Sequence, residues 1–335
     1  MHRFLKTCFF SSLLALSAIS ASIIDVAIIG SGCSGLSAAY VTSEFGYKTH
    51  VFSGPHKGGD LNVNTIVGNW MGIETTTGNE IIPIIEESVA DNEGKIVRTE
   101  IASVDFTKSP MQLVDTKGNT YFARKVVIAT GTKDKPVPLV NIPNPQGRIY
   151  YNWDIHPNLS KFKSQVSNKD VSIIGGGVDA MKKAFYALKG GAKKVRIFTR
   201  SETLRLPPWR QKFIKRSKIQ PVYKHSLEKV EGIGKKLRLY FEGGKTEEAD
   251  IVVISMGRIP NSNLFRRKVK MDQKGFIIVD AKTQKTSVPN VYACGDVTDA
   301  SGPQPQAMIA AGNGMIAGYT IVEDFLKEGV MPSSL

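Results

Sequence analysis

Cysteine is scarce in this 335-residue sequence, which contains only Cys8, Cys33 and Cys294. The last two stand 261 positions apart, so the chain has neither a disulfide framework nor the closely spaced cysteines typical of zinc sites. No two cysteines have the Cys-x-x-Cys spacing of a dithiol redox centre. The sequence therefore predicts no structural disulfides and no metal site.

Long apolar runs are also missing, apart from one near the start of the chain. Arg3 and Lys6 precede an uncharged stretch over residues 8–19, and Ala18 and Ser20 are small residues at the two positions that signal peptidase inspects. The run is shorter than the roughly 20 residues that span a bilayer. We predict that residues 1–21 are an export signal peptide leading to the periplasm, the exterior or an endoplasmic lumen. A short membrane anchor, a mitochondrial presequence and a cytoplasmic location are the alternatives.

Acidic residues are few in one part of the chain. Residues 182–238 hold 18 Lys or Arg but only Glu202, Glu228 and Glu231, which accounts for the whole net charge of +14. This segment is either a solvated surface or a docking face for an anionic partner or cofactor. No nucleic-acid-binding motif accompanies the charge, so we predict no nucleic-acid partner.

Length and composition indicate a globular protein of two domains. Glycine-rich turns follow two of its predicted strands. Residues 23–29 are an apolar, β-branched run that leads into Gly30-Ser31-Gly32-Cys33-Ser34-Gly35 and a helix-compatible segment. Strand, GxGxxG and helix in this order are typical of a dinucleotide site. Gly30 permits the sharp turn, Gly32 lets the backbone approach a pyrophosphate, and Gly35 allows close packing of helix on strand.

The acid that often follows the second strand of such a fold is absent. The strand predicted over residues 49–52 ends at Ser53, whose hydroxyl is the group left to bind a ribose.

The same pattern returns later in the chain. A predicted strand over residues 171–174 leads into Gly175-Gly176-Gly177-Val178-Asp179-Ala180, in which Gly175, Gly177 and Ala180 fill the three roles. Two fingerprints predict two bound dinucleotides, or one dinucleotide and one vestigial site. The next strand, residues 195–198, is followed by Arg200 and Arg205, which suit the 2′-phosphate of NADP better than the ribose hydroxyl of NAD.

Beyond the fingerprints, six further motifs are informative: residues 54–61 (GPHKGGDL), 67–72 (VGNWMG), 127–131 (VIATG), 256–261 (MGRIPN), 291–296 (VYACGD) and 306–307 (QA). With these motifs the chain resembles the low-molecular-weight thioredoxin reductase family of the pyridine nucleotide-disulfide oxidoreductases. The resemblance covers nearly all of the chain after residue 21.

The resemblance implies an α/β fold with two Rossmann-like domains. An FAD-binding domain would comprise residues 22–142 and 267–335, with an NAD(P)-binding domain, residues 143–266, inserted in it. It also implies a homodimer. The implied FAD-binding residues, the first fingerprint included, are Gly30, Ser31, Gly32, Cys33, Gly35, Ser53, Gly58, Gly59, Asp60, Asn69, Thr130, Gly131, Gly295, Asp296, Gln306 and Ala307. Those for NAD(P) are Gly175, Gly177, Val178, Asp179, Ala180, Arg200, Arg205 and Gly257.

Three departures from the family pattern bear on function. Tyr151 and Asp154 stand where the family has its redox cysteines, and residues 60–64, the position of the dithiol in the wider superfamily, contain no cysteine either. One arginine of the family's NADP signature is lost. Lys182 and Lys183 replace a pair of glutamates.

Dithiol exchange needs an attacking thiolate and a resolving thiol. We therefore predict an FAD-dependent NAD(P)H oxidoreductase that delivers electrons to a non-dithiol acceptor. Cys33 and Cys294 are interpreted as packing residues that lie near each other. The alternatives are a reductase of an acidic ferredoxin or flavodoxin, which a basic face would suit, and a non-catalytic flavin-binding paralogue.

Overall fold

A computed structural model of the chain describes residues 23–61, 66–74, 76–142, 145–151, 154–155, 159–302 and 306–332. The predicted signal peptide lies outside these residues. The first part of the chain contains β1 (Ile24–Ile29), α1 (Cys33–Glu44), β2 (Thr49–Phe52), β3 (Ile66–Val67), β4 (Thr76–Thr77), α2 (Gly78–Asp91), β5 (Lys95–Val97), β6 (Ile101–Asp105), β7 (Met111–Asp115) and β8 (Thr120–Ile128).

The middle part begins with two short strands and continues with a parallel sheet. Its elements are β9 (Thr132–Asp134), β10 (Leu139–Val140), β11 (Ile149–Tyr151), α3 (Leu159–Val166), β12 (Asp170–Ile174), α4 (Val178–Lys189), β13 (Lys194–Phe198), α5 (Pro208–Arg216), β14 (Ile219–Val222), β15 (Leu227–Ile233), β16 (Lys236–Phe241), β17 (Lys245–Ala249), β18 (Ile251–Ile254) and β19 (Arg258–Pro260). The last part contains β20 (Val291–Ala293) and α6 (Ala307–Glu328).

The first sheet takes strands from both ends of the described chain. Its order is β5-β2-β1-β8-β7-β6, and β20 pairs with the end of β8. Strands β5, β2, β1, β8 and β20 are parallel, whereas β6 and β7 form an antiparallel extension. A strand close to the C-terminus therefore completes a sheet that the N-terminal part begins.

Every residue of β1 is buried, as expected for a central strand with both faces covered. Val26 and Ile28 join a core that also includes residues of α1, α2 and α6, and Ile24 and Ile29 join a core on the opposite face. Helix α6 lies very close to α1, since a Cβ built on Gly314 would stand 2.0 Å from the carbonyl oxygen of Ser34. This contact fixes the N-terminal end of α1, where the first fingerprint is.

The second sheet has the order β11-β18-β12-β13-β14, and all its pairings are parallel. A smaller sheet, β10-β15-β16-β17, accompanies it. Strands β9 and β19 pair with each other where the chain enters and leaves this middle part. The boundaries after residues 142 and 266 stay predictions, and residues 143–144 lie outside the described part.

One largely parallel and one fully parallel sheet, flanked by helices, confirm the predicted α/β class, and the four strands predicted around the fingerprints are present as β1, β2, β12 and β13. No helix in the described part of the chain is long and apolar enough to cross a bilayer. Within the same residues, no three or more His, Cys, Asp or Glu side chains gather where they could hold a metal ion.

Candidate functional site: two dinucleotide cradles

The first fingerprint forms a tight turn between β1 and α1. Gly30 has a φ of +115°, and a Cβ built on it would lie 2.3 Å from the carbonyl oxygen of Ala129. A Cβ on Gly35 would lie 2.0 Å from the carbonyl oxygen of Gly30. Any side chain at either position would collide with backbone, so the first and third glycines are required by the fold itself.

Gly32 is different, because a Cβ built on it meets nothing within 4 Å. It is the N-cap residue of α1, and glycine has no side chain with which to cap the helix. The space beside Gly32 therefore faces the positive end of the helix, where a phosphate group is stabilised.

The loop that follows β2 closes over this turn. The Ser31 hydroxyl donates to the carbonyl oxygen of Ser53 at 3.4 Å and accepts from the backbone N–H of Gly58 at 3.4 Å. A Cβ built on Gly59 would lie 3.5 Å from the Cα of Gly32. Five residues predicted to bind FAD, from three separate motifs, are thus brought together around one open space.

The chain segments that follow β8 and β19 are joined to each other by three hydrogen bonds. The Thr130 hydroxyl donates to the carbonyl oxygen of Asn261 at 2.8 Å, and the Asn261 amide donates to the Thr130 carbonyl at 3.0 Å. The Asn261 N–H donates to Gly131 at 2.9 Å. This clamp holds the exit from the middle part of the chain against the first cradle.

A second set of predicted residues meets above the start of α6. The Asn69 amide donates to the Gln306 side-chain oxygen at 2.6 Å, across 237 positions of sequence. The adjacent residue, Ala307, accepts a hydrogen bond from the Cys33 thiol at 3.3 Å through its carbonyl oxygen. The end of the chain is thereby tied to the first fingerprint.

Three charged side chains cluster at the edge of the first cradle. The Arg258 guanidinium forms an ion pair with Asp60 at 2.9 Å and donates to the Thr132 hydroxyl. Burial raises the pKa of Asp296 to about 6, the Asp60 charge adds to the effect, and Arg258 opposes it. Burial also raises the pKa of Asp60, again against the pull of Arg258. The positive charge of Arg258 therefore favours the ionised form of both carboxyl groups.

The two cysteines of the described chain are buried and unpaired in any disulfide. Burial, reinforced by the charge of Asp296, raises the pKa of Cys33 to about 12. Burial likewise raises the pKa of Cys294 to about 12, with a smaller contribution from Cys33. Gly295 packs so tightly that its Cβ would lie 2.5 Å from the Ser34 hydroxyl. At neutral pH both groups are thiols, and a thiol is a poor nucleophile.

The second fingerprint repeats the geometry of the first. Gly175 has a φ of +143°, and its Cβ would lie 2.1 Å from the carbonyl oxygen of Ser255. A Cβ on Gly177, the N-cap residue of α4, again meets nothing within 4 Å. Val178 and Asp179 lie in the first turn of α4. Ala180, which takes the position of the third glycine of the fingerprint, is buried. The carbonyl oxygen of Gly257, two positions after Ser255, accepts a hydrogen bond from the backbone N–H of Lys135 at 3.1 Å.

The arginines predicted to bind a 2′-phosphate lie beside this second turn. The backbone N–H of Arg205 donates to the carbonyl oxygen of Gly176 at 2.7 Å, and the side chain is exposed. Arg200 follows β13 and borders an open cleft of about 680 Å³ that Ser201 and Lys224 also line. Both arginine side chains are exposed, and their binding of a 2′-phosphate stays a prediction.

Tyr151 and Asp154, which stand where the family has its redox cysteines, make structural contacts. The Asp154 carboxylate accepts from the backbone N–H of Tyr151 at 2.7 Å. The Tyr151 hydroxyl accepts from the N–H of Val137 at 3.5 Å. Neither contact brings a redox-active group toward the cradle, and residues 152–153 and 62–64 lie outside the described part.

Two residues of this region were not predicted as site residues. Arg258 is one, although its place directly after Gly257 in the MGRIPN motif was a usable signal. Lys183 is the other: it is fully buried in α4, and burial lowers its pKa to about 8 against the opposing effects of Asp179 and Asp134. Its nitrogen lies 5.8 Å from the centre of the Tyr186 ring.

The geometry fits two bound dinucleotides. Each cradle combines a glycine turn that backbone contacts demand, an open space at a helix N-terminus and polar side chains around it. The first cradle recruits residues from both ends of the chain, as a larger cofactor such as FAD requires. The second cradle has the exposed side chains of Arg200 and Arg205 nearby.

Comparison with known proteins supports this assignment. Residues 24–314 match the family described as pyridine nucleotide-disulphide oxidoreductase. The thioredoxin reductase of Rickettsia felis is 30% identical over 313 residues, which cover 90% of this chain and 98% of that protein. The thioredoxin reductase of Streptomyces coelicolor is 30% identical over 310 residues, covering 90% and 94%.

Solved structures agree with the sequence relatives. The thioredoxin reductase of T. acidophilum has a TM-score of 0.72 at 27% identity, covering 90% of this chain and 98% of that one. That of Lactococcus lactis has a TM-score of 0.75 and covers 91% and 99%, and at 21% identity it supports the fold alone. The resemblance found in the sequence is confirmed: the chain belongs to the pyridine nucleotide-disulphide oxidoreductases, is thioredoxin reductase-like, and has the FAD and NAD(P)H cofactors of that family.

Proposed function

We propose that this chain is an FAD-dependent oxidoreductase that takes electrons from NAD(P)H and passes them to an acceptor other than a protein disulfide. The observation that carries the proposal is the state of its thiols. Cys33 and Cys294 are buried, each has a pKa raised to about 12 by burial, and no cysteine occupies the Cys-x-x-Cys positions. The relatives named above are thioredoxin reductases. The proposed activity differs from theirs in the final step, the transfer of electrons to the acceptor.

The protein residues hold and orient the nucleotides in this scheme. When bound, FAD and NAD(P)H supply hydride and electron transfer themselves. Gly32 and Gly177 leave space for phosphate groups at the N-termini of α1 and α4. The Asn69–Gln306 hydrogen bond and the Thr130–Asn261 clamp fix segments from distant parts of the chain against one cradle.

Loss of the dithiol step has a physical basis. Disulfide reduction needs a thiolate to attack one sulfur and a second thiol to resolve the mixed disulfide. A thiol with a pKa near 12 is thiolate in only about one molecule in 10⁵ at pH 7. Burial of both groups adds a steric barrier, because a protein disulfide cannot reach them without local unfolding.

Anaerobic titration of the purified flavoprotein tests the proposal. We expect NADPH or NADH to bleach the flavin, and subsequent mixing with thioredoxin to leave it reduced, while oxygen, a quinone or a redox protein reoxidises it. A dithiol-containing thioredoxin reductase serves as the positive control. Rapid reoxidation by thioredoxin that is lost in Cys33→Ser or Cys294→Ser would refute the proposal.

An acidic redox protein is the second candidate acceptor. The excess of positive charge over residues 182–238 favours it, because complementary charge speeds the encounter of such partners. Reoxidation by a ferredoxin or flavodoxin that slows as salt rises would support this version. A flavin that neither nicotinamide reduces would instead support the non-catalytic paralogue.

Export and dimerisation remain part of the proposal. The mature chain is proposed to begin near residue 22 and to act outside the cytosol, and two copies are proposed to form a homodimer. Mass analysis of the N-terminus after expression in a secreting host tests the first point. Light scattering of the flavin-loaded protein tests the second.

A further inference from the structure

Helix α5 presents a stripe of aromatic and cationic side chains to solvent. Trp209, Lys212, Phe213 and Arg216 are exposed and follow the i, i+3, i+4, i+7 spacing of one helix face. The Trp209 side chain is 56% exposed and the Phe213 side chain 57%. Ile214 is the buried residue that anchors the helix. An amphipathic helix usually buries its aromatic residues, and here they lie on the outward face.

The outward face is held in a defined arrangement. The Trp209 and Phe213 rings meet edge to face, with centroids 6.1 Å apart. The Arg210 guanidinium lies 4.8 Å from the centre of the Trp209 ring. The Gln211 amide donates to the carbonyl oxygen of Leu206 at 2.9 Å and so ties the helix to the preceding segment. The two rings therefore form a fixed apolar patch.

The chain segment that contains the patch is basic. Between Glu202 and Glu228 the sequence contains no acidic residue. Lys224 forms an ion pair with Glu202 at 2.9 Å. The cations in this interval are Arg205, Arg210, Lys212, Lys215, Arg216, Lys218 and Lys224.

We propose that the α5 stripe docks this protein on the surface of a bilayer that contains anionic phospholipids. Exposed Trp and Phe rings beside Lys and Arg are the composition of helices that lie in the lipid headgroup region. The cations would attract anionic headgroups, and the two rings would enter the boundary between headgroups and acyl chains.

A protein partner fits the stripe less well. Protein interfaces are depleted in lysine, whereas Lys212 belongs to the stripe and Lys215 and Lys218 follow it closely in sequence. The proposal concerns attachment to a membrane surface and does not depend on the electron acceptor. It therefore stands or fails separately from the proposed function.

Vesicle sedimentation with the complete flavin-loaded protein tests the docking. Vesicles of phosphatidylcholine and phosphatidylglycerol in equal parts are compared with vesicles of phosphatidylcholine alone. We expect partitioning onto the anionic vesicles to be stronger by roughly tenfold or more, and to fall as salt screens the charges. The Trp209→Ala/Phe213→Ala protein should lose roughly tenfold in partitioning, and Lys212→Glu/Arg216→Glu a similar amount.

The control variant is Phe45→Ala, which removes a ring that is 44% exposed at the end of α1. It should bind anionic vesicles as the unmodified chain does. Tryptophan emission gives a second measurement, because Trp209 should shift to shorter wavelength on anionic vesicles and Trp209→Phe should abolish that shift. Flavin content and melting temperature confirm that each variant is folded.

Three results would overturn the proposal. One is an absence of binding to anionic vesicles. Another is binding that Trp209→Ala/Phe213→Ala leaves unchanged, which would assign it to another part of the chain. The third is binding of a purified acidic ferredoxin or flavodoxin that requires Trp209 and Phe213, in a protein that does not bind the vesicles. This result would make the stripe a protein-docking face.

Discussion

Arg258 and Asp60 are 198 positions apart in sequence, yet the guanidinium of the first lies 2.9 Å from the carboxylate of the second. The pair joins β19, where the chain leaves the middle part, to the glycine loop of the first cradle. Because Asp296 lies in the same cluster, Arg258 is the cation that offsets two carboxyl groups. It therefore contributes to both the geometry and the electrostatics of the flavin cradle.

Replacing Arg258 by Gln should destabilise the protein. Asp60 and Asp296 would lose the cation that offsets their charges, and we expect the free energy of unfolding to fall by about 1–2 kcal/mol. The loss should be larger above pH 6, where Asp296 is ionised, than below it. Urea unfolding at several pH values measures this. Lys133→Gln removes an exposed cation from β9, the strand that pairs with β19, and should have little effect; equal losses in the two variants would contradict the assignment.

Asp296 should impose a pH dependence on stability. Its folded-state pKa of about 6 lies above the usual value of 3.8 for an aspartate, so the folded protein binds more protons than the unfolded chain between these two values. Stability should therefore fall as pH rises from about 4 to about 6 and then level off, by about 1–2 kcal/mol after allowance for solvent screening.

The corresponding variant is Asp296→Asn, measured by urea unfolding of protein freed of flavin. It should flatten the curve between these pH values. Asp299→Asn, which removes an exposed carboxylate three positions away, should leave the curve unchanged. A curve for Asp296→Asn that follows the unmodified protein would assign the pH dependence to other groups.

Gly32 and Gly35 should respond differently to the same substitution. At Gly32 a Cβ meets open space, so Gly32→Ala should fold normally but lose flavin, because the added methyl group enters the space proposed for the pyrophosphate. At Gly35 the Cβ would lie 2.0 Å from a carbonyl oxygen, so Gly35→Ala should cost about 1–3 kcal/mol of folding free energy. Melting curves and visible flavin absorbance separate these effects. Full flavin content in a folded Gly32→Ala protein would place the phosphate elsewhere.

Arg200 and Arg205 should determine preference for NADPH. Changing both to Ala should raise the KM for NADPH by about tenfold or more, because two cations near the 2′-phosphate are lost, and should leave the KM for NADH nearly unchanged. Steady-state bleaching of the flavin by each nucleotide provides the measurement. Lys218→Ala removes an exposed cation from the same basic segment as a control. An equal rise in both KM values would argue against recognition of the 2′-phosphate.

Cys33 and Cys294 should resist alkylation in the native protein. Burial and a pKa near 12 leave almost no reactive thiolate at pH 7, so iodoacetamide should label both only after denaturation. Mass spectrometry of the peptides that contain Cys33 and Cys294 measures the extent of labelling in native and in denatured protein. Rapid native labelling of either residue would show an accessible thiol and weaken the proposed non-dithiol mechanism.

The local structure around the cradles could be predicted from sequence because its causes are local. Apolar runs before Gly30 and Gly175 specify buried parallel strands, and the glycine spacing reports where backbone must approach backbone. The motif resemblance extended this to residues as distant as Asn69 and Gln306, which the structure joins. The partnership of Arg258 with Asp60 has no local signature, and no periodicity in the chain anticipates it.

By itself the sequence determined the two nucleotide cradles and the absence of a dithiol pair, since each depends on residue type and short-range spacing. Only the tertiary structure decided that burial raises the pKa of both thiols to about 12, that one arginine offsets two acids, and that the rings of α5 face solvent. Burial and charge pairing arise from which surfaces meet after the chain has folded, and spacing along the chain does not specify them.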